Sequence, residues 1–398
     1  MNKKGLENVR GFEYSGIKIS GKKNNMGIVY STVENTIGKA VYTQNDIVAA
    51  PVIVSKEMDV LSDKKRAIII NSGTANAFTG KQGIIDAKST IRELAHQLNI
   101  DESQCYIGST GVIGEKMDME HILSNIKRLV DIKDRRKSID FIEAIMTTDT
   151  RIKQSSVECE INGKKVNIAA CAKGAGMIMA NMATMLSVVV TDANISSDIL
   201  DSALKEAIKS TLNWITVDGD TSTNDSVFLL ANGLANNEKI NKKDNNYFIF
   251  VEKLRELLED IAKQIVNDGE GVTKFITLEV VNTVTYEQAK SIAFSVANSP
   301  LVKTALFGQS LNWGRLMMAI GKARTGIDCS KIDIWINDIQ ILKYGELIDT
   351  KSYDEAQESL KNRDINIKID FNQGKEKIKV WTCDFSYDYV KINADYLS

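Results

Sequence analysis

The chain has 398 residues, 43% of them hydrophobic and 26% charged, and its 50 Lys and Arg against 52 Asp and Glu leave a net charge of −2. That is enough chain to bury a substantial core, in one large or two medium domains. A charge so near zero carries no electrostatic footprint for nucleic acid and no basic face for a membrane surface.

The first residues, Met1-Asn2-Lys3-Lys4-Gly5-Leu6-Glu7-Asn8, are basic without an apolar stretch behind them and do not read as a secretory signal. Ala67-Ile68-Ile69-Ile70 reads as a strand, residues 86–98 and 117–130 show helical apolar spacing, and Ser187-Val188-Val189-Val190 reads as a second strand. The spacing predicts helices over 198–214 and 248–266, with the polar stretch 236–246 between them as a surface loop. Residues 276–281 alternate as a strand. The period-two runs 365–371 and 377–381, joined by Asn372-Gln373-Gly374, predict a hairpin. The sum is α/β, mixed α+β, in two associated lobes, with a C-terminal third that is sheet-rich and antiparallel. The most apolar run, 177–190, is interrupted by Asn181, Thr184 and Ser187 and falls short of the roughly 20 residues of a spanning helix, so no membrane segment is expected. Met177, Met179, Met182 and Met185 in it read as buried core.

Scarcities narrow the chemistry. Five cysteines (Cys105, Cys159, Cys171, Cys329, Cys383) are scattered, odd in number and never spaced as CxxC, which argues against a disulfide framework and a structural zinc. A reducing, cytoplasmic setting is expected. The two histidines, His96 and His121, lie in helix-like stretches beside no nucleophile or metal-ligand pattern, so a histidine triad or a His-rich metal site is disfavoured. The base of any catalytic machinery is therefore something other than imidazole.

Thr184 supplies an alternative. A threonine after a small residue such as Ala183 can attack its own preceding carbonyl; once the resulting ester hydrolyses, the threonine heads a new chain and its α-amine is its general base. An α-amine titrates near about 7.7–8.0, so an appreciable fraction of it is free base at neutral pH. The tetrahedral intermediate then needs oxyanion donors. Gly108-Ser109-Thr110-Gly111-Val112-Ile113-Gly114 offers the Gly111 amide and the Thr110 hydroxyl, although the same run also reads as an everyday glycine turn.

Three other clusters divide between chemistry and support. Gly174 and Gly176 complete neither GxGxxG nor GxxxxGK[ST], which excludes the common nucleotide loops. Residues 216–225 fall short of a DxDx[TV] nucleophile loop, with Ser222 in its last place. They also fail the calcium loop, with Thr223 and Leu229 where Gly and Glu are required, and read as a hydrogen-bonded turn supporting a site. Glu270, between Gly269 and Gly271, reads either as a carboxylate for a substrate ammonium or as a solvated loop acid.

An ordered set of stretches runs along nearly the whole chain: Ala49-Ala50-Pro51-Val52, Asn71-Ser72-Gly73, Ser109-Thr110-Gly111-Val112-Ile113-Gly114 and Met146-Thr147-Thr148-Asp149-Thr150. It continues through Lys173-Gly174-Ala175-Gly176-Met177-Ile178, Ala183-Thr184-Met185-Leu186, residues 216–225, Gly269-Glu270-Gly271, Asn312-Trp313-Gly314-Arg315 and the terminal 393–398. In these the sequence resembles the self-cleaving ornithine acetyltransferases, or glutamate N-acetyltransferases, of arginine biosynthesis. The resemblance implies cleavage between Ala183 and Thr184 into an α chain, 1–183, bearing the oxyanion hole, and a β chain, 184–398, headed by the nucleophile. It implies transfer of acetyl from N2-acetylornithine to glutamate through an acetyl ester on Thr184. Thr110 and Gly111 would form the oxyanion hole, and Thr147, Lys173, Thr184, Glu270, Asn393 and Ser398 would line the substrate site. The implied fold has helix-covered central sheets like those of ornithine acetyltransferases and DmpA-type aminopeptidases.

No metal or cofactor is expected, acetyl-CoA is an optional co-substrate, and the chains are expected to assemble as an α2β2 heterotetramer without nucleic acid or membrane. A self-processing aminopeptidase or amidohydrolase, with water as acceptor, and an uncleaved binding protein are the rival readings. Ser310-Leu311 where the family usually has Asp-Pro, Thr74 for a common Asn, and a missing acidic residue around Asn24-Asn25-Met26 depart from the pattern outside the catalytic set.

Overall fold

A computed structural model describes residues 5–18, 25–179 and 185–395. In chain order its first half holds β1 (Phe12–Ile17), β2 (Asn25–Ser31), β3 (Ile37–Tyr42), α1 (Ala50–Leu61), β4 (Ala67–Thr74), α2 (Gly80–Leu98), β5 (Cys105–Val112), α3 (Met119–Asp131), α4 (Ser138–Ile145), β6 (Lys153–Ile161) and β7 (Lys164–Lys173). There follow β8 (Leu186–Thr191), α5 (Ser197–Lys209), β9 (Ser226–Ala231), α6 (Asn245–Asn267), β10 (Phe275–Thr283), α7 (Tyr286–Ala297), α8 (Pro300–Phe307) and α9 (Trp313–Lys322). The chain ends with β11 (Asp333–Ile336), β12 (Ile339–Lys343), β13 (Glu346–Leu347), α10 (Thr350–Ser359), β14 (Asp364–Asp370), β15 (Glu376–Cys383) and α11 (Tyr387–Asp395). The fold class is mixed α/β, as expected.

These elements form two compact units. The first comprises the described residues up to Asn213 together with Asp220–Ile265, and the second Trp214–Gly219 with the described residues from Val266 on. In the first unit a four-stranded sheet, β1-β2-β4-β5, faces a five-stranded one, β3-β9-β8-β7-β6. Ile68 and Ile70 of β4 join Val188, Val190 and Phe228 in the core between the sheets. Ile69 and Ile107 turn to the other face, against Val54 and Met58 of α1, Leu94 of α2 and Ile122 and Ile126 of α3. Burial on both faces is why Ala67-Ile68-Ile69-Ile70 is continuously apolar instead of alternating. Each fully buried Ile contributes about 1.5–3 kcal/mol. β4 and β5 run parallel with Ser72 opposite Thr110 and Gly73 opposite Gly111, and β8 and β9 are the second parallel pair.

The local signals act as the physics requires. Both prolines, Pro51 and Pro300, sit in the first turn of a helix, where a missing N–H costs nothing. Asn99 ends α2 in the left-handed conformation, φ 53°. The helix predicted over 198–214 stops at Lys209, where the Thr211 hydroxyl donates to the Ala207 carbonyl at 2.7 Å; a short 3₁₀ turn, Leu212–Trp214, follows. Met185 is buried, but Met177 and Met179 are only half-buried and lie in irregular chain, and Met182 falls outside the described residues.

The second unit corrects the predicted hairpin. Its sheet runs β13-β12-β11-β14-β10-β15, so β10 lies between the two strands that were to pair. β14 joins β10 in parallel and β15 joins it antiparallel, and the sheet is mixed. The connecting turn is anchored on the end of β10. Gln373 N–H donates to the Asn282 carbonyl at 2.9 Å, Asn282 Nδ2 donates to both Asp370 oxygens, and a Cβ at Gly374 would lie 2.1 Å from the Thr283 carbonyl oxygen. Among the described residues, no helix is long and apolar enough to cross a membrane.

Candidate active site

β5 and β7 belong to different sheets, and the ends of both carry site residues. Lys173, the last residue of β7, donates from Nζ to Thr110 Oγ1 of β5 at 2.7 Å and to Thr147 Oγ1 at 3.2 Å. Thr147 follows α4, whose C-terminal side turns extended at Met146. The Thr110 hydroxyl accepts from Lys173, so its own hydrogen remains to be donated, and the adjacent cation strengthens that donor.

Gly111 holds φ 130°, and a Cβ there would fall 2.2 Å from the Gly73 carbonyl carbon and 2.5 Å from Thr74 N. No other residue fits this crossing of β4 and β5. Side chains brace the same ends: Ser109 Oγ donates to Asn71 Oδ1 at 2.6 Å, and Asn71 Nδ2 to the Thr74 carbonyl at 2.9 Å. Asn224 Nδ2 reaches the Ser109 and Ala75 carbonyls at 2.9 and 2.6 Å. The 220–225 part of the predicted supporting turn is therefore a brace for the strand that carries Thr110. Sequence reasoning gave no role to Asn71 and read Asn224 only as part of that supporting turn, although both fall in stretches that carry the resemblance.

Two carboxylates flank Lys173. The Asp149 side chain is wholly buried; its Oδ1 accepts from Gly174 N at 2.7 Å and from Lys153 Nζ at 2.5 Å, and its Oδ2 from Thr147 N at 3.1 Å. Burial alone would raise its pKa, but Lys153, Lys173 and the Gly174 amide outweigh that and hold it below the usual carboxylate range. Asp225 precedes β9, in the chain stretch that holds Met185 through Ser226 N–H to the Met185 carbonyl at 3.0 Å. Among the described residues its Oδ2 is buried without a hydrogen-bond partner. Burial pushes its carboxyl well above the usual range, against the opposing pull of hydrogen bonding by Ser222 and the charge of Lys173.

In the second unit Glu270 is 8% exposed, which disposes of the solvated reading. Its Oε2 accepts from Asn393 Nδ2 of α11 at 2.9 Å. Gly271, at φ 66°, lets the loop pass so close to α11 that a Cβ would meet Tyr389 N at 2.4 Å, and Ser386 Oγ donates to the Gly271 carbonyl at 2.6 Å. Thr110, Gly111, Thr147 and Lys173 thus come together in one unit, and Glu270 and Asn393 in the other. Ala183, Thr184 and Ser398 lie outside the described residues. His96 and His121 ride on the last turn of α2 and the first turn of α3.

A cation bound to two hydroxyls, next to a strand end that only glycine can form, offers a small anion a counter-charge beside hydrogen-bond donors. A family model, ArgJ family, matches residues 11–398. "Arginine biosynthesis bifunctional protein ArgJ" of Oceanobacillus iheyensis is 42% identical over 375 residues, covering 94% of this chain and 91% of its own. The protein of that name from Thermotoga neapolitana is 41% identical over 397 residues, covering 97% and 98%. A solved chain of arginine biosynthesis bifunctional protein argJ from Bacillus halodurans, 43% identical, superposes with a TM-score of 0.51 over 54% of this chain and 100% of that one. The chain belongs to the ArgJ family, and it is an acyltransferase of arginine biosynthesis.

Proposed function

We propose that the chain cuts itself between Ala183 and Thr184 and then moves acetyl groups from N2-acetylornithine to glutamate on the Thr184 hydroxyl. In the first step Thr184 Oγ attacks the Ala183 carbonyl and the Thr184 nitrogen leaves as the free α-amine; water then hydrolyses the ester, freeing the Ala183 carboxylate and restoring the Thr184 hydroxyl. The α-amine then accepts the Oγ proton as Oγ attacks the acetyl carbonyl. The Thr110 hydroxyl and Gly111 amide take the oxyanion, and the proton passes to the departing ornithine amine. Glutamate repeats the sequence in reverse on the acetyl ester and leaves as N-acetylglutamate. No metal or cofactor enters these steps.

The observation that carries this reading is the contact of Lys173 with both Thr110 and Thr147. It sets a point cation suited to an α-carboxylate beside the proposed oxyanion donor. Glu270, held by Asn393, is assigned to the ornithine side-chain ammonium, and Ser398 to the same substrate site. Cleavage is supported by a coincidence of size: the solved Bacillus halodurans chain is matched in full by 54% of this chain, the share made up by residues 184–398. The α and β chains are assigned to an α2β2 assembly in the cytoplasm, with acetyl-CoA as a second donor.

Labelled acetylornithine tests the reading directly. Label appearing in N-acetylglutamate, and accumulating on the β chain when glutamate is withheld, supports the transferase; release as acetate at a rate indifferent to glutamate assigns a hydrolase instead.

A further inference from the structure

Asp149 takes no part in the acyl transfer derived above, yet both of its oxygens are engaged beside Lys173. We infer that Asp149 is the positioning residue of the donor's carboxylate pocket: by accepting the backbone amides of Thr147 and Gly174 on one carboxylate, it fixes the Thr147 hydroxyl against the Lys173 ammonium. The inference rests on the acetyltransferase reading and adds to it the group that sets the pocket's geometry.

Thr147 and Lys173 stand 26 residues apart, one in the chain following α4 and the other at the end of a strand. Thr147 has no ladder partner, so its place is not set by a sheet. Asp149 supplies the tie, with Thr147 N at 3.1 Å on one oxygen and Gly174 N, the amide directly after Lys173, at 2.7 Å on the other. Two rigid amides on one planar group leave little freedom between the elements that carry them.

Lys153 does a separable job. At the start of β6, 1% exposed, it gives the buried carboxylate its counter-charge. Breaking such a pair strands the surviving charge. Asparagine cannot replace Asp149 in the tie, because it offers one acceptor oxygen and sets an NH₂ group against the second amide N–H.

Three variants separate the roles: Lys153→Met, Asp149→Asn and the two combined, which leaves neither charge stranded. On material that has cleaved, the double variant is expected to raise KM for acetylornithine by about tenfold or more while kcat stays within about threefold. Hydrogen exchange at the Thr147 and Gly174 amides should quicken in the same variant. Lys153→Met is expected to melt earlier but to keep KM within about threefold of the parent. A double variant with parental KM and parental exchange overturns the inference. So does an equal rise of KM in Lys153→Met and the double variant, which would give the site's geometry to the packing of the pair. If the parent itself transfers no acetyl group, the transferase reading falls. The exchange measurement still decides the role of Asp149, and unchanged exchange at Thr147 and Gly174 in Asp149→Asn sinks it.

Discussion

The two regions that carry the site residues are built in opposite ways. Around Lys173 the proposed chemistry sits on the ends of strands buried on both faces, and buried side chains, Asn71, Asn224 and Asp149, lock those ends to one another. Around Glu270 it sits on a loop and on α11, a helix of which no residue is buried. A site fixed by a core loses function when its chemistry is altered. A site fixed by a loop and a terminal helix loses function when its tether is altered, at little cost to the fold.

The sharpest contrast comes from Lys173→Met. Removing the cation leaves the Thr110 and Thr147 hydroxyls without their shared donor. kcat/KM for acetyl transfer is expected to fall by about a thousandfold, the cost of truncating a desolvated charged partner of about 4 kcal/mol. Retention of even a tenth of parental kcat/KM would remove Lys173 from the carboxylate pocket.

Glu270→Gln keeps an oxygen for Asn393 but loses the charge. KM for acetylornithine is expected to rise by about 10- to 100-fold with kcat nearly unchanged, and KM for glutamate, which lacks a side-chain ammonium, to move much less. Equal effects on both substrates would contradict the assignment of Glu270 to the ammonium.

Removing residues 393–398 takes away Asn393 and the last turn of an exposed helix. Transfer should drop by about tenfold while Tm moves by no more than about 2 °C. A truncated protein that loses both together would show the tail to be a structural element of its unit.

The smallest effect concerns Asp225. Its pKa in the folded chain lies well above the unfolded value, so the folded state binds a proton that the unfolded state has released. Stability from this group is whole below about pH 4 and declines as pH rises towards the folded pKa. Asp225→Asn does not titrate, so its Tm should exceed the parent's by a few degrees at pH 8 and by progressively less towards pH 4. A difference independent of pH would mean the carboxyl is not perturbed.

How much of this was legible in the sequence follows from where each signal lives. Periodicity fixed β4, α2 and α6, because burial on a face is written in the residues that are buried. The runs 365–371 and 377–381 were correctly strands, but alternation says nothing about partners, and β10, far upstream at Phe275–Thr283, enters between them. Thr110, Gly111 and Glu270 could be singled out because their residue types are needed for the chemistry, whereas Lys173 entered only through the family resemblance. Asp149, Asn71 and Asn224 could not. Their partners are backbone groups and side chains brought in by the fold, and a polar residue bound to a distant amide looks in sequence like any other loop residue. Gly111 shows the intermediate case: its place in the motif was visible, and the reason for it, the approach of Gly73, was not.

Everything proposed for the acyl chemistry depends on the nitrogen of residue 184 becoming a free amine. Intact-mass measurement of freshly purified protein under denaturing conditions tests this most directly. Two species are expected, one ending at Ala183 and one beginning at Thr184, replaced in Thr184→Ala by one of 44.1 kDa. A single 44.1 kDa species from the parent chain, unchanged on long incubation, or a Thr184→Ala protein that still divides, would contradict that expectation.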